Sequence, residues 1–116
     1  KNKIISVLVG GSGRSSSINF DDLMSVIKKL NALNDNFQII YCFSRRTTTK
    51  LKNFIIKNAN KNCVFFPTKI FNPYWCLFEI SNFIFVTGDS ISMISDSLSS
   101  GKPTYIIPVK KVKKKN

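Results

Sequence analysis

Short apolar segments alternate with amphipathic segments along almost the whole chain. Because each apolar segment except the last leads into a helical pattern through a short connection, the order is β-α-β-α-β-α-β-α-β. This alternation predicts a single α/β domain, a Rossmann-like three-layer sandwich with a five-stranded parallel sheet between two layers of helices. The predicted strands are rich in β-branched and aromatic residues, as expected of strands buried on both faces: residues 3–9, 37–43, 62–66, 82–86 and 104–107.

The segments between the strands carry helix signals. In residues 19–33, apolar side chains recur at steps of three and four residues, which predicts an amphipathic helix. Thr47 or Thr48 is expected to cap the second helix. Pro73 is expected in the first position of a short third helix, where its missing N–H costs nothing. Asp89 is expected to be the N-cap of the fourth helix before it acts as a ligand.

The chain is strongly basic, with a net charge of +12 over 116 residues. Lysines at positions 110, 111, 113, 114 and 115 supply five of these charges. We expect residues 110–116 to be a frayed lysine-rich tail beyond one domain at residues 1–109. The body remains basic without them, which favours anionic partners such as nucleotides, nucleic acid or acidic lipid. An Asn- and Lys-rich composition with no functional meaning explains the lysines equally well.

The composition also excludes several kinds of site. There is no histidine, which removes the usual general base, Ser-His catalysis and most zinc enzymes. Cys42, Cys63 and Cys76 stand singly, as expected of buried thiols in a reducing compartment. We find no apolar run long enough to span a bilayer and no signal peptide. We therefore expect a cytoplasmic protein with no metal site and, since Lys1 is not methionine, a fragment of a longer chain.

The predicted topology places the loops after the first four strands at one edge of the sheet. Ligands of open parallel sheets bind at this edge, where the carboxyl ends of the strands lie (the carboxyl edge). These loops are rich in Gly, Ser, Thr, Arg and Asn, whereas the loops at the opposite edge have the composition of plain turns. The sequence therefore predicts one ligand-binding cleft at the carboxyl edge.

The first of these loops begins with Gly10 and Gly11. The segment Gly11-x-Gly13-x-x-Ser16 has two of the three glycines of the dinucleotide fingerprint, and no acidic residue follows the second strand. NAD binding is therefore disfavoured, and a P-loop is excluded because its motif is absent. The two glycines either form a tight turn or let a ligand or a facing domain approach the backbone.

A cationic segment, Ser44, Arg45 and Arg46, follows the second predicted strand. Guanidinium groups pair bidentately with phosphate or carboxylate. These arginines are therefore candidates for binding an anionic ligand, with solvated surface side chains as the alternative.

The fourth strand leads into a helix whose first turn is rich in serine. Ser90, Ser92 and the backbone N–H groups of this turn are expected to receive a diphosphate. Asp89, Ser92, Met93 and Asp96 share one helical face at this spacing. Asp96 is therefore placed to reach ribose hydroxyls beside the phosphates, or else is an ordinary exposed helix residue.

Five short motifs follow one another in a familiar order: VLVGG at 7–11, SRRT at 44–47, NPY at 72–74, VTGDSISM at 86–93 and GKP at 101–103. In this order and spacing they resemble the C-terminal half of the mitochondrial-fission "elongated mitochondria" (Elm-type) family, and the resemblance covers residues 3–109. Bacterial members of that family resemble GT-B-fold glycosyltransferases and are sometimes labelled nucleoside-diphosphate-sugar epimerases. The resemblance implies that this chain is the donor half, which binds a nucleotide sugar.

The resemblance also implies roles for individual residues. The base would lie near Asn72 and Tyr74, and the diphosphate at Ser90–Met93. An acidic residue where Asp96 stands would hold the ribose, although the usual glutamate is one methylene longer. The expected ligand is a nucleotide diphosphate sugar with no further cofactor, and the expected partner is an N-terminal GT-B half that this chain lacks. We expect no catalysis by this chain alone, because any catalytic base on that half is missing.

The alternative is a non-catalytic interaction module that binds a protein partner or an anionic membrane surface. The hypothesis of membrane binding depends on the lysine tail, which would adhere weakly to acidic lipid. Nucleic-acid binding is disfavoured, because the aromatic residues fall mostly on core positions and do not interleave with basic residues on one face.

Overall fold

A computed structural model describes residues 3–11 and 16–111, without the side chains of residues 16, 17 and 111. The elements follow in this order: β1 (Lys3–Val9), β2 (Ser16–Ile18), α1 (Phe20–Ala32), β3 (Phe37–Phe43), α2 (Thr49–Asn58), β4 (Val64–Phe66), α3 (Tyr74–Ile80), β5 (Phe83–Thr87), α4 (Ile91–Ser99), β6 (Thr104–Ile107) and β7 (Val109–Lys111). None of the helices in the described ranges is long and apolar enough to cross a membrane.

Five parallel strands form the main sheet, in the order β4-β3-β1-β5-β6. The chain first builds outward from β1 through β3 to β4, and then crosses to the other side of β1 to add β5 and β6. The point where the order reverses lies between β1 and β5, and loops at such a point form a crevice at the carboxyl edge. The predicted α/β class and the five-stranded parallel sheet are confirmed.

Apolar side chains pack on both faces of this sheet, because alternate residues of each strand point to opposite sides. On one face, Ile5, Val7 and Val9 of β1 belong to a core cluster that includes buried residues of α1 and α2. On the other face, Leu8 belongs to a cluster with buried residues of α3 and α4. The two layers of helices predicted from the sequence are therefore present.

A second, two-stranded antiparallel sheet joins β2 to β7. Ile18 pairs with Val109, and both side chains pack against the α1–α2 side of the core. Ile18 is buried and Val109 is partly buried. Lys110 and Lys111 lie in β7, so the expected fraying from residue 110 is wrong for these two residues. Residues 112–116, the rest of the predicted tail, lie outside the described residues.

Most predicted element boundaries agree with the structure to within two residues. Thr48 caps α2, its hydroxyl accepting a hydrogen bond from the Leu51 N–H at 3.2 Å. Gly101 follows α4 with a φ of 77°, a conformation that favours glycine at a helix end. The strand predicted at residues 62–66 begins two residues later in the structure, as β4 at Val64.

Two predicted helix starts are wrong by one residue. The N-cap of α4 is Ser90 and not Asp89, because the Ser90 hydroxyl accepts from the Met93 N–H at 3.4 Å. Pro73 stands in the cap position before α3 and not in its first turn. Proline has no side-chain acceptor, and the preceding Asn72 accepts from the first N–H of α3 in its place.

Candidate functional site

Thr47, the last residue of the SRRT motif, ties two loops of the carboxyl edge together. Its hydroxyl is buried and lies 3.0 Å from the Val9 carbonyl oxygen and 2.8 Å from that of Gly10. It also accepts from the Ser44 N–H at 2.9 Å. These bonds join the loop after β1 to the loop after β3. This threonine therefore has a structural role between the two loops and is not exposed to a ligand.

The two glycines after β1 allow close approaches by other parts of this chain. A Cβ atom on Gly11 would overlap the carbonyl oxygen of Arg46. A Cβ atom on Gly10 would lie 2.6 Å from a carboxylate oxygen of Asp89. The groups that approach the two glycines are this chain's own Arg46 and Asp89, and not a ligand or a facing domain. A ligand role for Gly10 and Gly11 stays a prediction.

A cleft of about 470 Å³ opens at the carboxyl edge, where the loops after β3 and β4 meet α2, α3 and α4. This volume lies within the range of small-molecule sites. Both charged and apolar side chains line it: Cys42, Phe43, Ser44, Arg45, Lys52, Pro67, Asn72, Tyr74, Ser92, Met93 and Asp96.

The cleft brings together residues from three separate motifs and Asp96, which follows the third of them along the chain: Ser44, Arg45, Asn72, Tyr74, Ser92, Met93 and Asp96. The other predicted site residues do not line it: Gly10, Gly11, Arg46, Asp89 and Ser90. The Ser90 side chain is buried and caps its own helix.

Tyr74 and Asp96 form a hydrogen-bonded pair in the wall of the cleft. The Tyr74 hydroxyl donates to Oδ2 of Asp96 at 2.7 Å, joining α3 to α4. Burial raises the pKa of Tyr74 well above its usual value, and the hydrogen bond to Asp96 and the charge of that carboxylate add to the effect. Tyr74 is therefore a neutral donor at physiological pH. Asp96 is held in the wall and is not a freely solvated helix residue.

Asn72 and Cys42 lie beside this pair. Oδ1 of Asn72 accepts from the Tyr74 N–H at 3.1 Å and lies 4.0 Å from the Cys42 sulfur. Burial raises the pKa of the Cys42 thiol to about 11. The thiol is therefore protonated near neutral pH, and it is a poor nucleophile because the thiolate is the reactive form.

Sequence reasoning missed four residues that line the cleft: Cys42, Phe43, Lys52 and Pro67. The first two end a strand that is apolar except for Gln38 and the hydroxyl of Tyr41, so nothing in the pattern marks their side chains as part of a cleft. Lys52 did carry a signal. It stands in the first turns of α2, where the helix dipole disfavours a cation and where no acidic residue is present.

Asp89 lies outside the cleft, over Gly10 at the crevice between β1 and β5. Neither of its carboxylate oxygens is exposed or has a hydrogen-bond partner in the described part of the chain. A buried carboxylate without a partner is costly. The same ranges contain no group of three or more His, Cys, Asp or Glu side chains that could hold a metal ion.

Comparison with known proteins adds the family context. The sequence profile described as "Mitochondrial fission ELM1" matches residues 1–116. An uncharacterized protein, RP120, of Rickettsia prowazekii (strain Madrid E) is 35% identical over 106 residues. The match covers 86% of this chain and 30% of the relative, so the chain spans less than a third of that protein.

Proposed function

This chain belongs to the mitochondrial fission ELM1 family, and we propose that it is the nucleotide-sugar-binding half of a GT-B-like, glycosyltransferase-related protein. The observation that carries the proposal is the composition of the cleft at the carboxyl edge. Two cations, a carboxylate–tyrosine pair and several apolar side chains face one space of about 470 Å³. A nucleotide sugar has matching parts: a charged diphosphate, hydroxyl-bearing sugars and a flat base.

The diphosphate would lie between Arg45 and the first turn of α4. Arg45 is exposed and lines the cleft, so its guanidinium can turn toward phosphate oxygens without losing a partner among residues 3–11 and 16–111. The N–H groups of Ile91 and Ser92 have no acceptor within the described part of the chain. Free N–H groups at a helix start attract phosphate.

The Tyr74–Asp96 pair would receive a sugar hydroxyl. Oδ2 of Asp96 is occupied by the Tyr74 hydroxyl, which leaves Oδ1 as the acceptor for a ligand hydroxyl. The tyrosine oxygen keeps a free lone pair, which can accept a second one. This arrangement supports the ribose contact expected at Asp96 and adds Tyr74 to it.

A second lobe would complete the site. Ile70, Trp75 and Ile91 are 94%, 69% and 83% exposed. In the sequence, Trp75 follows Tyr74 and Ile91 precedes Ser92, which both line the cleft, and Ile70 lies two residues before Asn72, which also lines it. Exposed apolar side chains of this size are typical of surfaces that pack against another domain. We propose that these three side chains, the exposed rim of the cleft, pack against a second lobe that carries the acceptor site. The chain would then not catalyse transfer alone.

Isothermal titration of the chain with UDP, UDP-sugars and GDP-sugars tests the proposal. We expect saturable binding of at least one of them. Arg45→Ala should weaken that binding about tenfold or more, since a hydrogen bond to a charged group is lost. Arg46→Ala is the matched control, because Arg46 is exposed and does not line the cleft. Absence of binding, or equal effects of the two substitutions, would contradict the proposal.

The second candidate is the interaction module, and the exposed rim is the observation that favours it. In that case the chain would bind no nucleotide but would bind a protein partner or vesicles with anionic lipid. Flotation of the chain with such vesicles, with and without residues 110–116, tests whether the chain binds membranes and thus separates this alternative from nucleotide binding. Loss of flotation on removing the lysines would support it.

A further inference from the structure

We propose that Lys52 binds the anionic group of the ligand on the α2 side of the cleft and so makes the site select ligands by their phosphate charge. This inference rests on the proposed function, because it concerns the same cleft. Lys52 belongs to none of the motifs that resemble the family, and its position in the cleft was visible only in the structure.

The Lys52 ammonium group is held against the wall of the cleft. Its Nζ lies 6.0 Å from the centre of the Phe43 ring, and both residues line the cleft. Phe43 is buried, which fixes the ring, and Lys52 is half-buried. A cation over an aromatic face is attracted by the ring quadrupole. The lysine stem therefore packs on a rigid surface, and its charge stays at the cleft.

Nothing in the described part of the chain neutralises this charge. No carboxylate within residues 3–11 or 16–111 forms an ion pair with Lys52. The first turn of α2 has no acidic residue, so the positive end of the helix dipole adds to the lysine charge. The helix dipole therefore does not stabilise a cation at this position, and the proposed role of Lys52 depends on its place in the cleft.

Arg45 is the second cation of the cleft, and it follows the end of β3 while Lys52 lies on α2. Two cations from different elements suit a ligand with more than one anionic oxygen, such as a diphosphate. Asp96 adds a negative charge at the opposite, α4 side of the cleft. This separation of charge favours a ligand whose anionic end points toward α2 and whose hydroxyl groups point toward α4.

Lys50 provides a closely matched control. It stands two residues before Lys52 in the same helix turn, and its Nζ lies 5.7 Å from the centre of the Phe20 ring. Both lysines therefore have the same charge, a place in the first turns of α2 and an aromatic neighbour. Lys50 does not line the cleft. Any effect of general positive charge should appear equally at the two positions.

The experiment compares the affinities of uridine, UMP, UDP and inorganic pyrophosphate for the wild-type chain, Lys52→Met, Lys50→Met and Lys52→Arg, by titration calorimetry at one ionic strength. Methionine keeps the apolar stem and removes the charge. We expect Lys52→Met to lower the affinity for UDP and for pyrophosphate about tenfold or more and to leave the affinity for uridine unchanged. Lys50→Met should stay within about twofold of wild type for every probe, and Lys52→Arg should retain most of the UDP affinity.

The outcomes separate this inference from the proposed function. Binding of UDP and nucleotide sugars that Lys52→Met leaves unchanged would overturn the role of Lys52 alone. Pyrophosphate binding that depends on Lys52, without any binding of nucleotides or nucleotide sugars, would support the anion site and overturn the proposed function. The inference would also be overturned if Lys50→Met and Lys52→Met lowered the affinity for UDP equally. It would be overturned as well if Lys52→Met lowered the affinities for uridine and UDP equally. Circular dichroism of each variant confirms that it is folded.

Discussion

Replacing Thr47 by valine should destabilise the protein although the side chain keeps its shape. Thr47 is 5% exposed, and its hydroxyl joins the loops after β1 and β3 beside the cleft. Valine has nearly the same volume and branching, so the substitution replaces the hydroxyl by a methyl group that can neither donate nor accept a hydrogen bond. The experiment therefore measures what the loss of this hydroxyl costs in free energy of unfolding.

The structure sets the size of the expected loss. The Thr47 hydroxyl lies 2.8 Å from the Gly10 carbonyl oxygen, which has no other hydrogen-bond donor among the described residues. The Val9 carbonyl keeps the Ser44 N–H at 3.0 Å after the substitution. One buried carbonyl is thus left unsatisfied and one accepted bond is lost. Together these changes should cost about 2–3 kcal/mol.

Urea denaturation followed by far-UV circular dichroism measures this cost. With a slope of about 2 kcal/mol per M, the midpoint of Thr47→Val should fall by about 1–1.5 M. Thr47→Ser keeps the hydroxyl and removes a methyl group, so it should lose about 1 kcal/mol. The expected order of stability is wild type, then serine, then valine. A valine variant as stable as wild type, or more stable than the serine variant, would refute the reasoning.

Three further predictions follow from single side chains. Tyr41→Phe should leave the free energy of unfolding unchanged or raise it by about 1 kcal/mol in urea denaturation, because the fully buried hydroxyl has no hydrogen-bond partner among the described residues and its removal takes away a desolvation cost. A loss of 2 kcal/mol or more would contradict this. The protein should lose stability as pH rises from about 9 to about 11, since burial raises the pKa of Cys42 from 9.0 to about 11 and the unfolded chain therefore releases its thiol proton first. In denaturation at several pH values, the free energy of unfolding of Cys42→Ala should fall less steeply over this range. Tyr74→Phe should weaken nucleotide-sugar binding about fivefold while the fold is kept, because the ring contacts with Trp75 and Phe78 remain and only the hydrogen bond that holds Asp96 is lost; unchanged affinity in calorimetry would show that the pair does not contact the ligand.

The chain alone was sufficient to predict the layered α/β architecture. The strand at residues 3–9 is mostly apolar and the helix that starts near residue 19 is amphipathic, and both patterns are local properties of the polypeptide. The parallel arrangement followed because each predicted strand led into a helix before the next strand. The ends of elements were less certain: Asp89 and Ser90 are both good N-caps, and only the backbone geometry decides which of them accepts the first N–H.

Tertiary structure decided which side chains share the cleft. Arg45 and Arg46 are chemically identical neighbours, yet only Arg45 lines it, because successive side chains leave a turn in different directions. Lys52 reaches the cleft from a helix that the sequence marked only as amphipathic. The pairing of β2 with β7 joins segments about ninety residues apart and too short to carry a pattern of their own. Periodicity and capping are local and can be predicted from the sequence, whereas the meeting of distant loops depends on how the whole core packs.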